Sequence, residues 1–260
     1  MQFMGYRRED GRVGVRNYVL ILPGCACASE TCRLVASEVR GTKNVIMNVG
    51  CSDVQANTDM NLRVLTGFAL NPNVFGVIVI GLGCETVGHR ELAAKIRAET
   101  SKPVVSFGIQ EIGGTVATTA AAVKAAREMV AQASEQQREP CDASDLFVAI
   151  ECGGSDATSG IASNPAVGNM SDRIVDLGGT TMMSETIEFV GAEHILAKRG
   201  ATPEIHDQII RICEDYEKHL AGVGQDCRTG QPTTGNKAGG LSTIEEKSLG
   251  CIHKSEAKRS

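Results

Sequence analysis

The sequence predicts an α/β protein of two Rossmann-like lobes with mostly parallel sheets and an irregular C-terminal segment. Three observations predict it. Short β-branched runs recur along the chain, each closing on Gly or Cys and each followed by a stretch of helical length, which is the pattern of a βα alternation. Gly is abundant (29 residues), Trp is absent and aromatic residues make up only 3% of the chain, so the core must be aliphatic and the turns many. A polar stretch broken by Pro140 divides two such series near the middle of the 260 residues.

In the first lobe, residues 1–133, strands are expected at 18–22, 44–48, 74–80 and 103–107, with helices at 27–40, 57–70, 88–100 and 114–133. Residues 134–145, SEQQREPCDASD, are charged and are expected to link the lobes across the surface. The second lobe, 146–222, restarts with the strand-like LFVAIE at 146–151, then a Gly/Ser/Asn loop, a helix at 165–177, a strand at 180–183 and helices at 192–199 and 203–220. Residues 223–260 change character. The stretch GVGQDCRTGQPTTGNKAGG is polar, rich in Gly and without period, so it is either disordered or an active-site loop. The loop is the expectation, because long irregular segments inside compact enzymes are often functional.

Charge excludes one class of partner. Lys and Arg number 26 against 31 Asp and Glu, a formal net charge of −5 with no basic patch, whereas nucleic-acid binding draws on clustered cations. Apolar runs such as 74–80 are too short to cross a bilayer, and the opening MQFMGYRRED lacks the apolar core of a signal peptide. A soluble, cytoplasmic protein without membrane partners is expected. Ten cysteines in a chain this long, with no secretory cue, read as reduced thiols, some of them available to soft or borderline metals.

The clearest internal pattern lies at the strand exits: ILPGCAC at Cys25 and Cys27, NVGCSD at Cys51, IGLGCET at Cys84 and IECGGSD at Cys152. A single cysteine is an ordinary filler of aliphatic cores. Repetition beside Gly and beside the acidic Asp53, Glu85 and Asp156 points instead to ligands. Open parallel sheets bind ligands outside the carboxyl ends of their strands. Cys51, Cys84 and Cys152 are therefore the candidate metal ligands, for Fe2+ or an iron–sulfur cluster, with Mn2+ as a further candidate. Three thiolates would leave one position open to polarise a leaving group. Zinc on the same ligands stays possible, although no CxxC pair pre-organises a structural site.

Four further features carry candidate roles. The segment ECGGSDATSGIASNPAVG, 151–168, offers Ser155, Asp156, Ser159 and Asn164 to a carboxylate or polyol, or else caps the following helix. RREDGRVGVRN sets Arg16 and Asn17 before the first strand, where a guanidinium suits a carboxylate, or is simply solvated. GNKAGG places Lys237 among glycines and TIEEKSLG supplies Glu245, candidates for stabilising an enediolate and for moving the α-proton. His89 is the one histidine beside a candidate strand exit and is a third catalytic candidate. No GxGxxG follows the first strand, where the turn reads GCACAS, which argues against a nucleotide-dependent oxidoreductase.

Taken together, GYRREDGRVGVRN, NPNVFGVIVIGLGCE, ECGGSDATSGIASNPAVG, GGTTMMSETIEFVGAEHIL and GNKAGGLSTIEEKSLG resemble, in order and across about residues 5–254, the motif series of the altronate and galactarate dehydratase family. The resemblance implies sugar-acid hydro-lyases dependent on iron or another divalent metal, a group that includes the large subunit of (2R)-sulfolactate sulfo-lyase. It implies β-elimination: loss of the proton α to a carboxylate, departure of a group at the β-carbon, and tautomerisation to a 2-keto acid. Single-chain members carry a small N-terminal β-rich domain and continue past EEKSLG. The resemblance therefore implies a small β-rich partner subunit and a truncated chain, and a homo-oligomer is expected. Dehydration of an altronate- or galactarate-type acid to a 2-keto-3-deoxy acid is the leading expectation. Release of sulfite from sulfolactate and a non-catalytic acid-binding subunit are the alternatives.

Overall fold

The computed structural model describes residues 1–255, so residues 256–260 of the expected polar tail lie outside the described residues. The chain forms two compact units, Gln2–Cys141 and the part from Asp142 onward together with Met1. Among the described residues no helix is long and apolar enough to cross a membrane.

The N-terminal unit is built on β3 (Tyr18–Pro23), β4 (Thr42–Asn44), β5 (Val74–Gly81) and β6 (Val104–Gly108), all parallel in the order β4-β3-β5-β6. Helices α1 (Ser29–Glu38), α2 (Gln55–Leu70), α3 (His89–Glu99), α4 (Ile109–Ile112) and α5 (Thr115–Glu135) follow the strands. Side chains alternate faces along a strand, and here each face has its own core. Val19, Ile21, Ile78 and Ile80 pack with Cys32 and Val35 of α1 and with Ala122, Ala126 and Met129 of α5. Leu20, Leu22, Val77 and Val79 pack instead with Leu65 and Ala69 of α2 and Leu92, Ala93 and Ile96 of α3. This two-sided burial is why β3 and β5 read as continuous apolar runs rather than alternating ones.

Three expectations differ from this unit. The strand expected at 44–48 is the shorter β4, because only Thr42, Lys43 and Asn44 reach partners on β3; Val45 and Met47 instead pack against the second core as the chain turns back. Residues 2–7, not foreseen as structured, form β1 (Gln2–Arg7), which pairs antiparallel with β2 (Val13–Gly14). The expected surface linker contains β7 (Glu139–Asp142), which joins β1 in a second sheet of order β2-β1-β7.

The second unit is a βαβ element followed by helices. Strands β8 (Phe147–Ile150) and β9 (Thr180–Met183) pair in parallel, connected through α6 (Ser163–Asp176). Then come α7 (Glu193–Leu196), α8 (Pro203–Gly222), α9 (Cys227–Gly230), α10 (Thr234–Ala238) and α11 (Ile244–Cys251). Neither disorder nor a bare loop describes residues 223–255. Local caps convert the Gly-rich stretch into short helices: Asp226 accepts from Arg228 N–H, Thr233 and Asn236 form a reciprocal capping box, and Thr243 accepts from Glu246 N–H. Cys251, Ile252 and Lys254, placed in the tail by sequence, are buried.

Removing buried methyl groups at the centre of β5 should be costly. Ile78→Ala, at a fully buried position, should lower unfolding free energy by about 2 to 5 kcal/mol in urea titrations, whereas Val116→Ala, at a position 86% exposed, should change it by less than about 0.5 kcal/mol.

Candidate functional site

The register of the small sheet sets the site in the second unit. Ile150 pairs with Met183, so two residues further on, at the carboxyl exits, Cys152 faces Glu185. The exits stay joined: Ser184 N–H donates to Ile150 O at 3.1 Å, and Cys152 N–H donates to the Glu185 carboxylate at 3.1 Å. Glu185 holds this position in the left-handed region (φ 65°), which is uncommon for a non-glycine residue. A short helical turn then carries Glu188 inward, 2% exposed. The Cys152 thiol and the carboxylates of Glu185 and Glu188 bring three ligand atoms within 4.8 Å of one another.

Two lysines, Lys247 and Lys254, face the Glu188 carboxylate. Lys254 Nζ donates to Glu188 Oε2 at 2.5 Å, and Lys247 Nζ stands 3.7 Å from Glu188 Oε1 while donating to Gln231 at 3.1 Å. Arg199 fixes the turn that bears Lys254 by donating to the carbonyls of Ile252 and Ser255. Burial alone would raise the Glu188 carboxyl, but the Lys254 hydrogen bond and charge, with the Cys152 thiol beside it, outweigh burial and hold it below its ordinary range. Burial likewise pulls the Lys254 ammonium down, yet its partners leave it net raised. The neighbouring Cys251 thiol is pushed up to about 12, by burial first and by the Glu188 charge second, and so remains protonated. Cys152 is the half-buried thiol that adjoins both carboxylates.

A cleft of about 270 Å³ adjoins this cluster, lined by Ser155, Asp156, Ser159, Asn164, Lys247 and His253 among others. Ser155 Oγ lies 3.3 Å from Cys152 Sγ, so Ser155 and Lys247 each touch both cluster and cleft. The loop is held from behind: Asn236 donates to Ser155 O at 2.8 Å and Ala157 N–H donates to Gly239 O at 3.0 Å. Gly160 and Gly250 meet backbone to backbone, where a Cβ on either would sit 3.2 Å from the other's Cα. The four polar residues expected along this loop thus line one cleft. Asp156 also caps locally, accepting from Thr158 N–H at 2.8 Å and from Thr158 Oγ1 at 2.7 Å.

Two candidates from the same motifs stand elsewhere. Lys237 is exposed on α10, and Glu245 pairs with Arg228 at 3.3 Å; the cleft is lined instead by their neighbours Glu246 and Lys247. In the N-terminal unit, Cys51 and Cys84 are exposed on the turns after β4 and β5. His89 opens α3, is 5% exposed, and has Nε2 3.4 Å from Glu111. Arg16 and Asn17 precede β3, at the opposite end of that sheet. Asn17 is committed to structure there: its amide donates to Ala133 O at 2.8 Å and its oxygen accepts from Arg8 at 2.8 Å.

Sequence reasoning missed Glu185, Glu188 and Lys254. The signal was present in TTMMSETIEF, where two acidic residues follow a strand exit as Asp and Glu follow the cysteine turns. Lys254 carried no signal, because a lysine near a polar end reads as solvated.

Two family profiles match the chain. Residues 5–134 match the profile described as D-galactarate dehydratase/Altronate hydrolase, second domain, and residues 143–260 match D-galactarate/Altronate dehydratase, C-terminal. The chain is 41% identical over 256 residues to the (2R)-sulfolactate sulfo-lyase subunit beta of Chromohalobacter salexigens, covering 97% of this chain and 64% of that one. It is 34% identical to the altronate dehydratase of Bacillus subtilis, over 97% of this chain and 52% of that protein. It is also 34% identical to the galactarate dehydratase (L-threo-forming) of Escherichia coli, again over 97% and 52%. The chain therefore spans between about half and about two thirds of the length of these relatives.

Lys254→Met should cost about 3 kcal/mol of stability in denaturant titrations, because removing one partner leaves a buried carboxylate under-compensated. Restoring charge balance with Lys254→Met plus Glu188→Gln should recover part of that loss. Equal stability of the single variant and the parent would show that Glu188 is not held by Lys254.

Proposed function

The chain belongs to the D-galactarate/altronate dehydratase family, and from that membership we propose that it carries the catalytic body of a lyase that performs β-elimination on a small anionic hydroxy acid. The observation that carries the proposal is the joining of a charge-balanced Cys152, Glu185, Glu188, Lys247 and Lys254 cluster to a polar cleft.

The cluster fits a divalent cation. Glu188 Oε1 is buried without a hydrogen-bond partner, and one thiol with two carboxylates is a donor set suited to Fe2+ or Mn2+. Cys152, Glu185 and Glu188 would hold the ion, which when bound supplies a Lewis acid for a substrate oxygen. The charges of Glu185 and Glu188 are already matched in number by Lys247 and Lys254, both of which face Glu188. A dication gained with loss of the thiol proton leaves excess positive charge, which an anionic substrate neutralises.

The chain's own residues would do the rest. Lys247, 8% exposed, presents its ammonium to the substrate carboxylate and to the negative charge that develops on it. Ser155 and Asn164 donate to substrate hydroxyls. His253, which lines the same cleft, accepts the α-proton on its imidazole. The C–H electron pair becomes the enol double bond, the pair of the β-carbon bond departs with the leaving group, and the enol tautomerises to a 2-keto acid.

Identity favours sulfite as the leaving group and 3-sulfolactate as the substrate, because the relative sharing 41% of residues is a sulfo-lyase subunit beta. Its name also supports a partner subunit for this chain. The second reading, dehydration of a sugar acid, is supported by altronate and galactarate dehydratases at 33–34% identity.

Anaerobically prepared protein with Fe2+, alone and with a small partner subunit, should be offered 3-sulfolactate, altronate and galactarate in turn while 2-keto acid and sulfite are measured. Keto acid with equimolar sulfite is the expected result. Keto acid without sulfite selects the second reading, and substrate binding with no product from any of the three contradicts the lyase assignment. With the active substrate, His253→Asn should lower kcat by about 100-fold or more, whereas Lys247→Met should raise KM as well as lower kcat.

A further inference from the structure

The N-terminal unit has a polar cleft of its own, of about 380 Å³, at the end of the sheet where β5 and β6 begin. Arg7, Arg8, Glu9, Asp10, Glu99 and Lys102 are its charged lining residues. Adjoining carbonyls set two of its cations side by side. Lys102 Nζ donates to Ala69 O at 3.0 Å and to Asn71 O at 2.7 Å, and Arg8 Nε donates to Pro72 O at 2.7 Å. Arg8 donates further through Nη1 to Gln136 at 3.2 Å, and through Nη2 to Arg16 O at 3.2 Å and Asn17 Oδ1 at 2.8 Å. All six acceptors are neutral, and among the described residues neither Arg8 nor Lys102 is in ion-pair contact with a carboxylate.

The surrounding charges are mostly engaged with one another. Asp10 accepts from Arg12 Nη2 at 2.6 Å and Nε at 2.9 Å, Glu99 pairs with Lys95 at 3.3 Å, and Arg7 pairs with Glu139 at 2.8 Å. Glu9 is left on the exposed turn after β1. The carboxyl end of α2, which Lys102 caps, adds only a partial negative charge of about one half. Two half-buried cations are thus left under-compensated. Burial first, then the Arg8 and Arg12 charges, pull the Lys102 ammonium down to about 7 against an opposing Asp10. A cation that gained an ion-pair partner would move the other way.

The geometry points to a binding site between Lys102 and Arg8 for a small dianionic oxyanion of the charge and size of phosphate. Donors remain for it. Beyond the bonds above, Lys102 keeps one ammonium proton and Arg8 one proton on Nη1. Thr100 Oγ1 accepts from Lys102 N–H at 3.3 Å, which leaves its own hydroxyl proton to donate, and Ser101 lines the same cleft. Two cations short of negative charge suit a dianion better than a single carboxylate, and a guanidinium beside an ammonium is apt for phosphate oxygens. This site is independent of the elimination chemistry assigned to the second unit.

The test is calorimetric. Sulfate, a dianion with no proton of its own to titrate near neutrality, should be added to the intact chain at constant ionic strength, with phosphate and glycerol phosphate as further arms and acetate as the monoanion control. One sulfate per chain should bind in the millimolar range or tighter. Protons should be taken up at about pH 7.5, where the bound anion recharges Lys102, and not at about pH 5.5, where Lys102 is already charged. Lys102→Met should weaken sulfate binding by at least about tenfold while far-ultraviolet circular dichroism is kept. Lys102→Arg, which also guards against loss of the α2 cap, should bind sulfate without proton uptake. Glu9→Gln should tighten binding. Phosphate matching glycerol phosphate identifies the free ion as the ligand, and tighter glycerol phosphate identifies an ester; both support the site. Undiminished affinity in Lys102→Met, no dianion bound at tens of millimolar, acetate bound as tightly as sulfate, or weaker binding in Glu9→Gln would overturn the proposal.

Discussion

The second unit is organised around one buried charge. Glu188 is nearly inaccessible, and an ionised carboxylate without water must be matched by cations and hydrogen bonds or become neutral. Matching it recruits three separated pieces of chain: the turn after β9, the α11 residue Lys247, and Lys254 held by Arg199. Such an arrangement adds little net stability over an apolar replacement, since desolvation offsets attraction. Its effect is positional. Any displacement of the chain end or of the β9 exit leaves charge uncompensated, so the cleft wall and the Cys152 turn are held in a single geometry.

Both units use one architectural device. Parallel strands release their chains at the same edge, so short turns from distant sequence positions become neighbours. In the second unit, register alone sets Cys152 opposite Glu185 and yields a mixed thiol and carboxylate set. In the N-terminal unit, three successive exits deliver thiols while their acidic neighbours cap helices and turns. The first is a mixed thiol and carboxylate set that could coordinate a metal ion.

The parallel sheet of the N-terminal unit was legible because β3 and β5 are apolar on both faces and long enough to mark. The antiparallel β1 and β2 were not, since QFMGYR and VG are short and their burial depends on β7 far along the chain. The helices after residue 226 were hidden by Gly content, and their caps became visible only through side-chain bonds. At the site, the polar loop at 151–168 was readable as a lining segment because Ser and Asn followed a strand. Glu188 and Lys254 were unreadable because each looks solvated alone, and only their pairing makes burial tolerable. Lys247 stood inside a recognised motif, but helical phase, which buries it while leaving Glu246 exposed, decided between it and its neighbours.

The central claim is that Cys152, Glu185 and Glu188 form a divalent-cation site. Titrating the intact chain with Mn2+ and following free ion by electron paramagnetic resonance tests it most directly. One Mn2+ per chain should bind, with affinity falling at least about tenfold in Glu185→Gln and Cys152→Ser and unchanged in Cys51→Ser. Undiminished affinity in both Glu185→Gln and Cys152→Ser would contradict the account.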